Sequence, residues 1–236
     1  LPGFDALEAG VAANAGGGAL AFDNGGVTLA AGERFVAPVP IDGASGVLRW
    51  QRDGEAWRVA TPALSGAAAA IPFEASGSAS LAAGRRPRVE AELAIGAADI
   101  SRLPRLLPKG ALNERAEHWF RQAFHGGELS AARAELRGDL ADFPFDAGNG
   151  LFTVEFDVAD VSLEYSEKWP VVDGVRAHGA IAGRHFRLRA SEARLFDAPG
   201  RDIDLSIPDL FGETPVLLGV VTVRATLADT LKTIAQ

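Results

Sequence analysis

The chain has no cysteine, no methionine and a single tyrosine. Without cysteine there is neither a disulfide framework nor a thiolate metal site, and the redox compartment is left open. The lack of methionine even at position 1, with no basic segment leading into an apolar one, reads as an excerpt from a longer protein whose signal or anchor lies elsewhere. Long apolar runs are missing too. The longest, "PALSGAAAAIPF" and "TPVLLGVVTV", fall short of the roughly 20 residues that a membrane-spanning helix needs.

Positive charge is in deficit, 23 Lys and Arg against 31 Asp and Glu, for a net charge of -8. That balance argues against nucleic acid as a partner, since phosphate neutralisation needs clustered cations. The one basic cluster, Arg85, Arg86 and Arg88 around Pro87, reads as a solvated turn.

The groups that carry chemistry are sparse. No Gly-x-Ser-x-Gly elbow is present, and Ser45 in "DGASGV" reads as a turn residue without a base. "ANAGGGALAF" lacks the Lys-Ser/Thr of a phosphate loop, and Glu90 with Glu92 is an ordinary pair for an acidic sheet. Asp139, Asp142 and Asp146, followed by Asp157 and Asp160, suggest calcium, but Leu140, Phe143 and Phe145 interrupt the ligand spacing. His118 and His125 would share a helix face, whereas His178 and His185 fall in different strands, and neither pair has further ligands nearby. The expectation is a protein that is not an enzyme, with no catalytic residue, metal or cofactor.

What the chain does have is alternation. Apolar residues make up 47% before the 27 glycines are added. Phe152, Val154, Phe156 and Val158 alternate with Thr153, Glu155 and Asp157, the period of a half-buried strand. The same pattern recurs in Val161, Leu163, Tyr165; in Phe186, Leu188, Ala190; and in Ile203, Leu205, Ile207. Asn24-Gly25, Asp53-Gly54 and Asn149-Gly150 supply turn residues that tolerate positive φ. The exception is central. Asn113 as N-cap, Ala116, Trp119, Phe120, Ala123 and Phe124 at helical spacing, and Gly126 as terminator predict one amphipathic helix over about 114–125. A shorter helical turn follows Asp99 and ends before Pro104 or Pro108. The organisation expected is a β unit over 1–98, a helical connector over 99–126 and a second β unit over 127–236.

The two β stretches resemble one another. Laying 22–43 over 156–174 matches Phe22 with Phe156, Val27 with Val161, Phe35 with Trp169 and Asp42-Gly43 with Asp173-Gly174. Beyond that, "GEAWRVATPAL" resembles "GRHFRLRASEARL", with Trp57 opposite Phe186. A second echo relates "LRGDLADFPF" (136–145) to "VRATLADTLK" (223–232), which keeps Leu-Ala-Asp and loses the Arg-Gly-Asp triplet. The recurring element reads as a joint. Gly138 lets a strand bend, Asp142 caps the backbone, and Pro144 keeps Phe143 extended so that Phe143 and Phe145 point together into an apolar seam.

Residues 102–181 combine Leu107-Pro108, a helix bearing Trp119 and Phe124, Gly126-Gly127, the run Arg137 to Phe145, an alternating strand, and Trp169-Pro170. In this combination the chain resembles the AsmA-like proteins of Gram-negative bacteria, specifically the YhdP family. The resemblance implies a mainly β fold: a long curled antiparallel sheet, open and groove-like, with one amphipathic helix and a short helical turn between two β units. It also implies a periplasmic protein whose full length is anchored in the inner membrane by a segment outside this sequence. In that setting the apolar groove would conduct phospholipid between inner and outer membrane.

A period-two sheet must cover its apolar face with a second sheet, a helix or a ligand. Burying an acyl chain contributes about 0.8 kcal/mol per methylene, so a lipid is an adequate cover. The candidate lining is Phe152, Val154, Phe156, Val158, Val161, Leu163, Tyr165, Phe186, Leu188, Ile203, Leu205 and Ile207. Expected partners are phospholipid acyl chains, the rest of the same long chain, and membranes reached through segments outside this sequence. The alternative is a β-sandwich scaffold or envelope interaction module without lipid cargo, whose apolar faces would interleave about 10 Å apart and leave no channel.

Overall fold

The computed structural model describes residues 3–5, 7–30, 38–106, 114–165, 170–195, 198–212 and 215–223. The first strands are β1 (Gly3–Asp5), β2 (Ala9–Asn14), β3 (Gly17–Ala30), β4 (Val39–Asp53), β5 (Ala56–Ala68), β6 (Ile71–Leu81), β7 (Arg88–Ile95) and β8 (Ala98–Asp99). A 3-10 helix (Ile100–Leu106) and α1 (Glu114–Gln122) follow. The remaining strands are β9 (Phe124–Asp139), β10 (Leu151–Leu163), β11 (Val172–Ala182), β12 (His185–Leu195), β13 (Ala198–Ile207) and β14 (Leu218–Val223).

The strands form one open antiparallel sheet in the order β1-β3-β4-β5-β6-β7-β9-β10-β11-β12-β13-β14, with β2 paired to β3 and β8 to β9. It does not close into a barrel. Nearly every neighbour in the sheet is also a neighbour in sequence, which is the meander that alternating strands and short turns dictate. The chain divides into two compact units: residues 1–96, 105–109 and 132–154, and residues 97–104, 110–131 and 155–236.

In unit 1 the hairpin turn at Asp53-Gly54 forms as expected, with Gly54 at φ 61. Asn24-Gly25 and Ser45 do not make turns: they lie inside β3 and β4. Asn24 has a different task. Its side-chain oxygen accepts the Glu8 N–H at 2.8 Å and its amide donates to the Glu8 carbonyl at 2.9 Å. A buried side chain thereby does for the chain before β2 what a backbone ladder would do. Asn24→Ala is expected to cost about 1–3 kcal/mol, because both Glu8 groups lose their partner. Urea unfolding checks the cost, and faster exchange of the Glu8 amide locates it.

The joint after β9 differs from expectation in its details. Asp139, not Asp142, holds the turn: its carboxylate accepts the Ala141 N–H at 2.9 Å. Asp142 instead takes the Asn149 amide at 2.8 Å, so Asn149-Gly150 belongs to this loop and not to a two-residue hairpin. The Phe143-Pro144 bond is cis and Phe145 sits at φ 72, so the backbone is not extended through the pair, yet the two rings still meet edge-on with centres 5.9 Å apart. Phe145 is buried, its ring where side chains on Gly138 and Gly150 would be. Phe143 is exposed and lies over Phe152, ring centres 5.1 Å apart. The echoing segment at 224–232 lies outside the described residues.

In unit 2, α1 ends at Gln122, and Phe124, His125 and Gly126 already belong to β9. The Ala123 N–H closes the last helical bond to Trp119 O at 2.8 Å, while the Ala123 carbonyl accepts the Glu164 N–H at 2.8 Å. That bond to the end of β10 turns the chain into a strand before Gly126 is reached. Asn113 and Leu107-Pro108 are outside the described residues. The 3-10 helix continues through Pro104 to Leu106, and its first turn is held by Asp99. The hydroxyl and N–H of Ser101 both donate to that carboxylate, at 2.7 and 2.9 Å, and hold its pKa below the ordinary carboxylate value.

The two alternations read around 152–158 and 161–165 belong largely to one strand, β10, which ends at Leu163. Val158 and Val161 are three apart, so strict alternation would put them on opposite faces. Asp160, at φ 53, inserts a left-handed residue that resets the phase, and both valines are buried. Gly174 in β11 (φ 60) and Asp202 in β13 (φ 54) are left-handed as well. The register shift between Asp173 and Arg176 coincides with the first of these.

Unit 1 carries the matching device. Gly43 in β4 has φ 58, and the register to β5 shifts between Asp42 and Ser45. The turn glycines Gly54 (φ 61) and Gly183 (φ 54) also correspond. The internal similarity therefore includes the Asp-Gly bulge and the following turn. Phe35 and Trp169, the third matched pair, lie outside the described residues.

Candidate functional site

Cross-strand partners share a face of a sheet, so the register identifies which side chains stand together. In unit 1, Trp50, Val59, Ala79, Val89 and Gly138 form one row across β4, β5, β6, β7 and β9. Leu64, Ala75, Leu93 and Ala134 form a parallel row, with Gly46 at its β4 end. Thr61, Gly77, Ala91 and Leu136 lie between them. The outermost row is Arg52, Trp57 and Leu81.

This apolar face stands on a floor of small residues. A Cβ on Gly77 would come 2.5 Å from Glu90 O, and one on Gly18 2.4 Å from the Trp50 ring. Large side chains rise from that floor only partly covered: Leu48 is 38% exposed, Trp57 38%, Leu81 41% and Leu93 36%. Apart from the last residues of the 3-10 helix, the described part of unit 1 contains no helix and no second sheet. Ile71, at the far end of β6, is its one large fully buried side chain among the described residues. The sequence reading did not include these residues in the lining, although Phe73, Ala75, Gly77, Ala79 and Leu81 carry the period-two signal.

The opposite side of unit 1 is polar. A depression of about 410 Å³ is bordered by Arg49, Ser76, Ser78, Glu90, Glu135 and Arg137 together with Ala60, Pro62, Ala91 and Leu136, so charged and hydroxyl groups alternate there with apolar ones.

The twelve expected lining residues divide between the units. Phe152 and Val154 belong to unit 1, where Phe152 packs against Phe143. The others belong to unit 2. There, Ile181, Phe186 and Ile207 form a row, Gly179, Leu188 and Leu205 a second, and Ala177, Ala190 and Ile203 a third. Phe156 leans over Gly179, where a Cβ would come 2.1 Å from its ring, and stacks on Phe186 with ring centres 6.5 Å apart. Val158, Val161 and Ile203 are buried, whereas Phe156, Leu163, Phe186, Leu188, Leu205 and Ile207 are half-buried.

Tyr165 lies just past β10 and is exposed. Its carbonyl accepts the Trp119 indole N–H at 2.8 Å, and its ring meets Trp119 edge-on with centres 6.4 Å apart. It belongs to an aromatic cluster at α1 with Phe120 and Phe124.

The reverse face of unit 2 carries paired charges. His178 meets Asp157 at 3.0 Å, and Asp204 lies 3.5 Å from Arg189 and 3.9 Å from Arg187. His125 meets Glu164 at 3.0 Å from its place in β9, so it does not share a helix face with His118. Among the described residues no group of acidic or histidine side chains could hold a metal ion. The Arg-Gly-Asp triplet is absorbed structurally: Arg137 binds Glu135 at 2.6 Å, Gly138 makes room for Phe145, and Asp139 holds the turn.

No helix of the described residues is long and apolar enough to cross a membrane. Neither a curated protein nor a solved structure matches the chain. The YhdP protein family matches it over residues 1–236. The sequence motifs, the open antiparallel sheet and this match over the whole length agree: the chain belongs to the YhdP protein family, an envelope protein family.

Proposed function

We propose that this chain is a non-enzymatic lipid-binding segment of a periplasmic, bridge-like protein, conducting phospholipid between the inner and outer membranes along its apolar sheet faces. The observation that carries the reading is the apolar face of unit 1, from which Leu48, Trp57, Leu81 and Leu93 stand partly exposed among the described residues. A soluble sheet with such a face gains by covering it, and an acyl chain of 16 carbons gains on the order of 10 kcal/mol by leaving water, before ordering costs. Hydrophobic attraction has no direction, so a chain can slide between rows of similar apolar residues at little cost. Of the twelve residues named from the sequence, Phe186, Leu188, Ile203, Leu205 and Ile207, with Phe156 stacked on Phe186, stand on a similar apolar face in unit 2. Membership in an envelope protein family supports the location. The longer protein is anchored in the inner membrane on this reading.

Lipid extraction and mass spectrometry of the purified chain test it. Co-purifying phospholipid is expected, together with crosslinks to lipid from photoreactive residues at Phe156 and Leu93. A lipid-free preparation that crosslinks no added phospholipid at either position leaves only an envelope scaffold.

A further inference from the structure

The apolar face of unit 1 is not the same at its two ends. Val27, Val39 and Ile71, toward the turn at Ala69-Ala70, are buried, and that turn is uncharged. At the other end Trp57, Leu81 and, in the joint, Phe143 are exposed. Arginines border this open end. Arg52 is the direct cross-strand partner of Trp57, so it stands on the apolar face itself, and Trp57 is in turn the partner of Leu81. The turn that follows Leu81 closes with the Arg85 N–H donating to Ala82 O at 3.3 Å and presents Arg85 and Arg86.

Arg52 and Arg85 make no ion pair with any described carboxylate. Arg52 uses Nε on the Gly54 carbonyl at 3.1 Å, and Arg86 uses Nη1 on the Leu140 carbonyl at 3.4 Å. The acidic residues at this end are placed otherwise. Asp53 follows Arg52 in the strand and falls on the opposite face, and Glu55 is at the exposed turn. Asp139 and Asp142 are engaged within the joint.

β4 and β6 are two strand spacings apart, about 10 Å. The turn bearing Arg85 continues β6 beyond Leu81, so Arg52 and Arg85 lie at the same open end of the face, with Trp57 and Leu81 between them in the strand order. Guanidinium is suited to a phosphate, since its donors match the oxygens in pairs and it stacks on indole. We propose that Arg52 and Arg85, on either side of Trp57, bind the phosphate of a lipid head group whose acyl chains run toward the uncharged end of the unit 1 face. The inference rests on the lipid-binding reading and adds to it an anchoring site and a head-to-tail direction.

The test compares the delipidated chain with Arg52→Gln/Arg85→Gln, a variant that spares the bond from Arg86 to Leu140. Each is titrated with fluorescent phosphatidylglycerol, with diacylglycerol of the same acyl chains, and with inorganic phosphate. The expected result is a tenfold or greater loss of phosphatidylglycerol affinity, a weaker salt dependence, unchanged diacylglycerol binding, and only partial recovery in Arg52→Lys/Arg85→Lys, which restores the charge without the paired donors. Saturable inorganic phosphate binding as tight as that of phosphatidylglycerol overturns the lipid assignment. Unchanged phosphatidylglycerol affinity, or equal loss for both lipids, overturns the head-group site while leaving the apolar face intact. If neither lipid binds the unaltered chain, the lipid-binding reading falls and the head-group site with it.

Discussion

Replacing Gly127 by alanine is expected to destabilise unit 2 by about 3 kcal/mol or more, the sum of two penalties at one position. Gly127 sits in β9 at φ 120, where a side chain is strained whatever space surrounds it. Space is also lacking. A Cβ there would come 2.5 Å from the Val161 Cα and 2.9 Å from its N, so backbone and not a rotatable side-chain tip would have to move. Val161 is a buried residue of the apolar face, immediately after the phase reset at Asp160. Urea unfolding of Gly127→Ala beside Gly126→Ala measures the difference. A Cβ on Gly126 meets nothing within 4 Å, so that neighbour should cost under about 1 kcal/mol. Similar midpoints for the two variants would mean that β9 and β10 do not approach closely at this point.

The second large effect concerns ligand retention. Leu48→Gln/Leu93→Gln is expected to lower lipid affinity tenfold or more while leaving the unfolding midpoint nearly unchanged. The asymmetry follows from exposure: both leucines are more than a third exposed in the free chain, so their packing contributes modestly to the fold. Covered by an acyl chain, each would lose its remaining contact with water. That burial is worth about 1 kcal/mol or somewhat more per side chain at roughly 25 cal/mol per Å². The control is Ile71→Ala, deep in the same unit and 1% exposed, which should cost about 2–5 kcal/mol of stability. Lipid titration and urea unfolding on the same preparations separate the two quantities. A double variant that binds lipid as the parent does would remove the unit 1 face from the lipid path.

How much of this was legible beforehand varies with the element. Alternation in Phe186, Leu188 and Ala190 was enough to place β12 and its apolar side, because a strand's two faces follow from its own sequence. The 3-10 segment and α1 were located, but their ends were not. Gly126 is a plausible helix terminator, yet the bond from the Glu164 N–H to Ala123 O, made by a residue 41 positions further on, ended the helix first. Asn24-Gly25 carried a turn signal and became mid-strand because Asn24 found the Glu8 backbone as its partner. The exposed leucines of unit 1 were missed for another reason. Leu48, Leu81 and Leu93 look like any core leucine in a list of residues, and exposure depends on what packs opposite them.

The sequence by itself determined the family, the alternation of apolar and polar faces, the meander of antiparallel strands and the poverty of catalytic groups. Those are local properties, set by residue type, side-chain period and turn chemistry. The tertiary structure alone decided where Asp160, Gly174 and Asp202 reset the phase of the strands. It also decided that Phe145 fills the space left by Gly138, that Arg52 stands beside Trp57, and that Leu48, Trp57, Leu81 and Leu93 stay partly exposed on the apolar face of unit 1. Each of these depends on which strand lies next to which and in what register, and register comes from contacts between residues far apart in the chain.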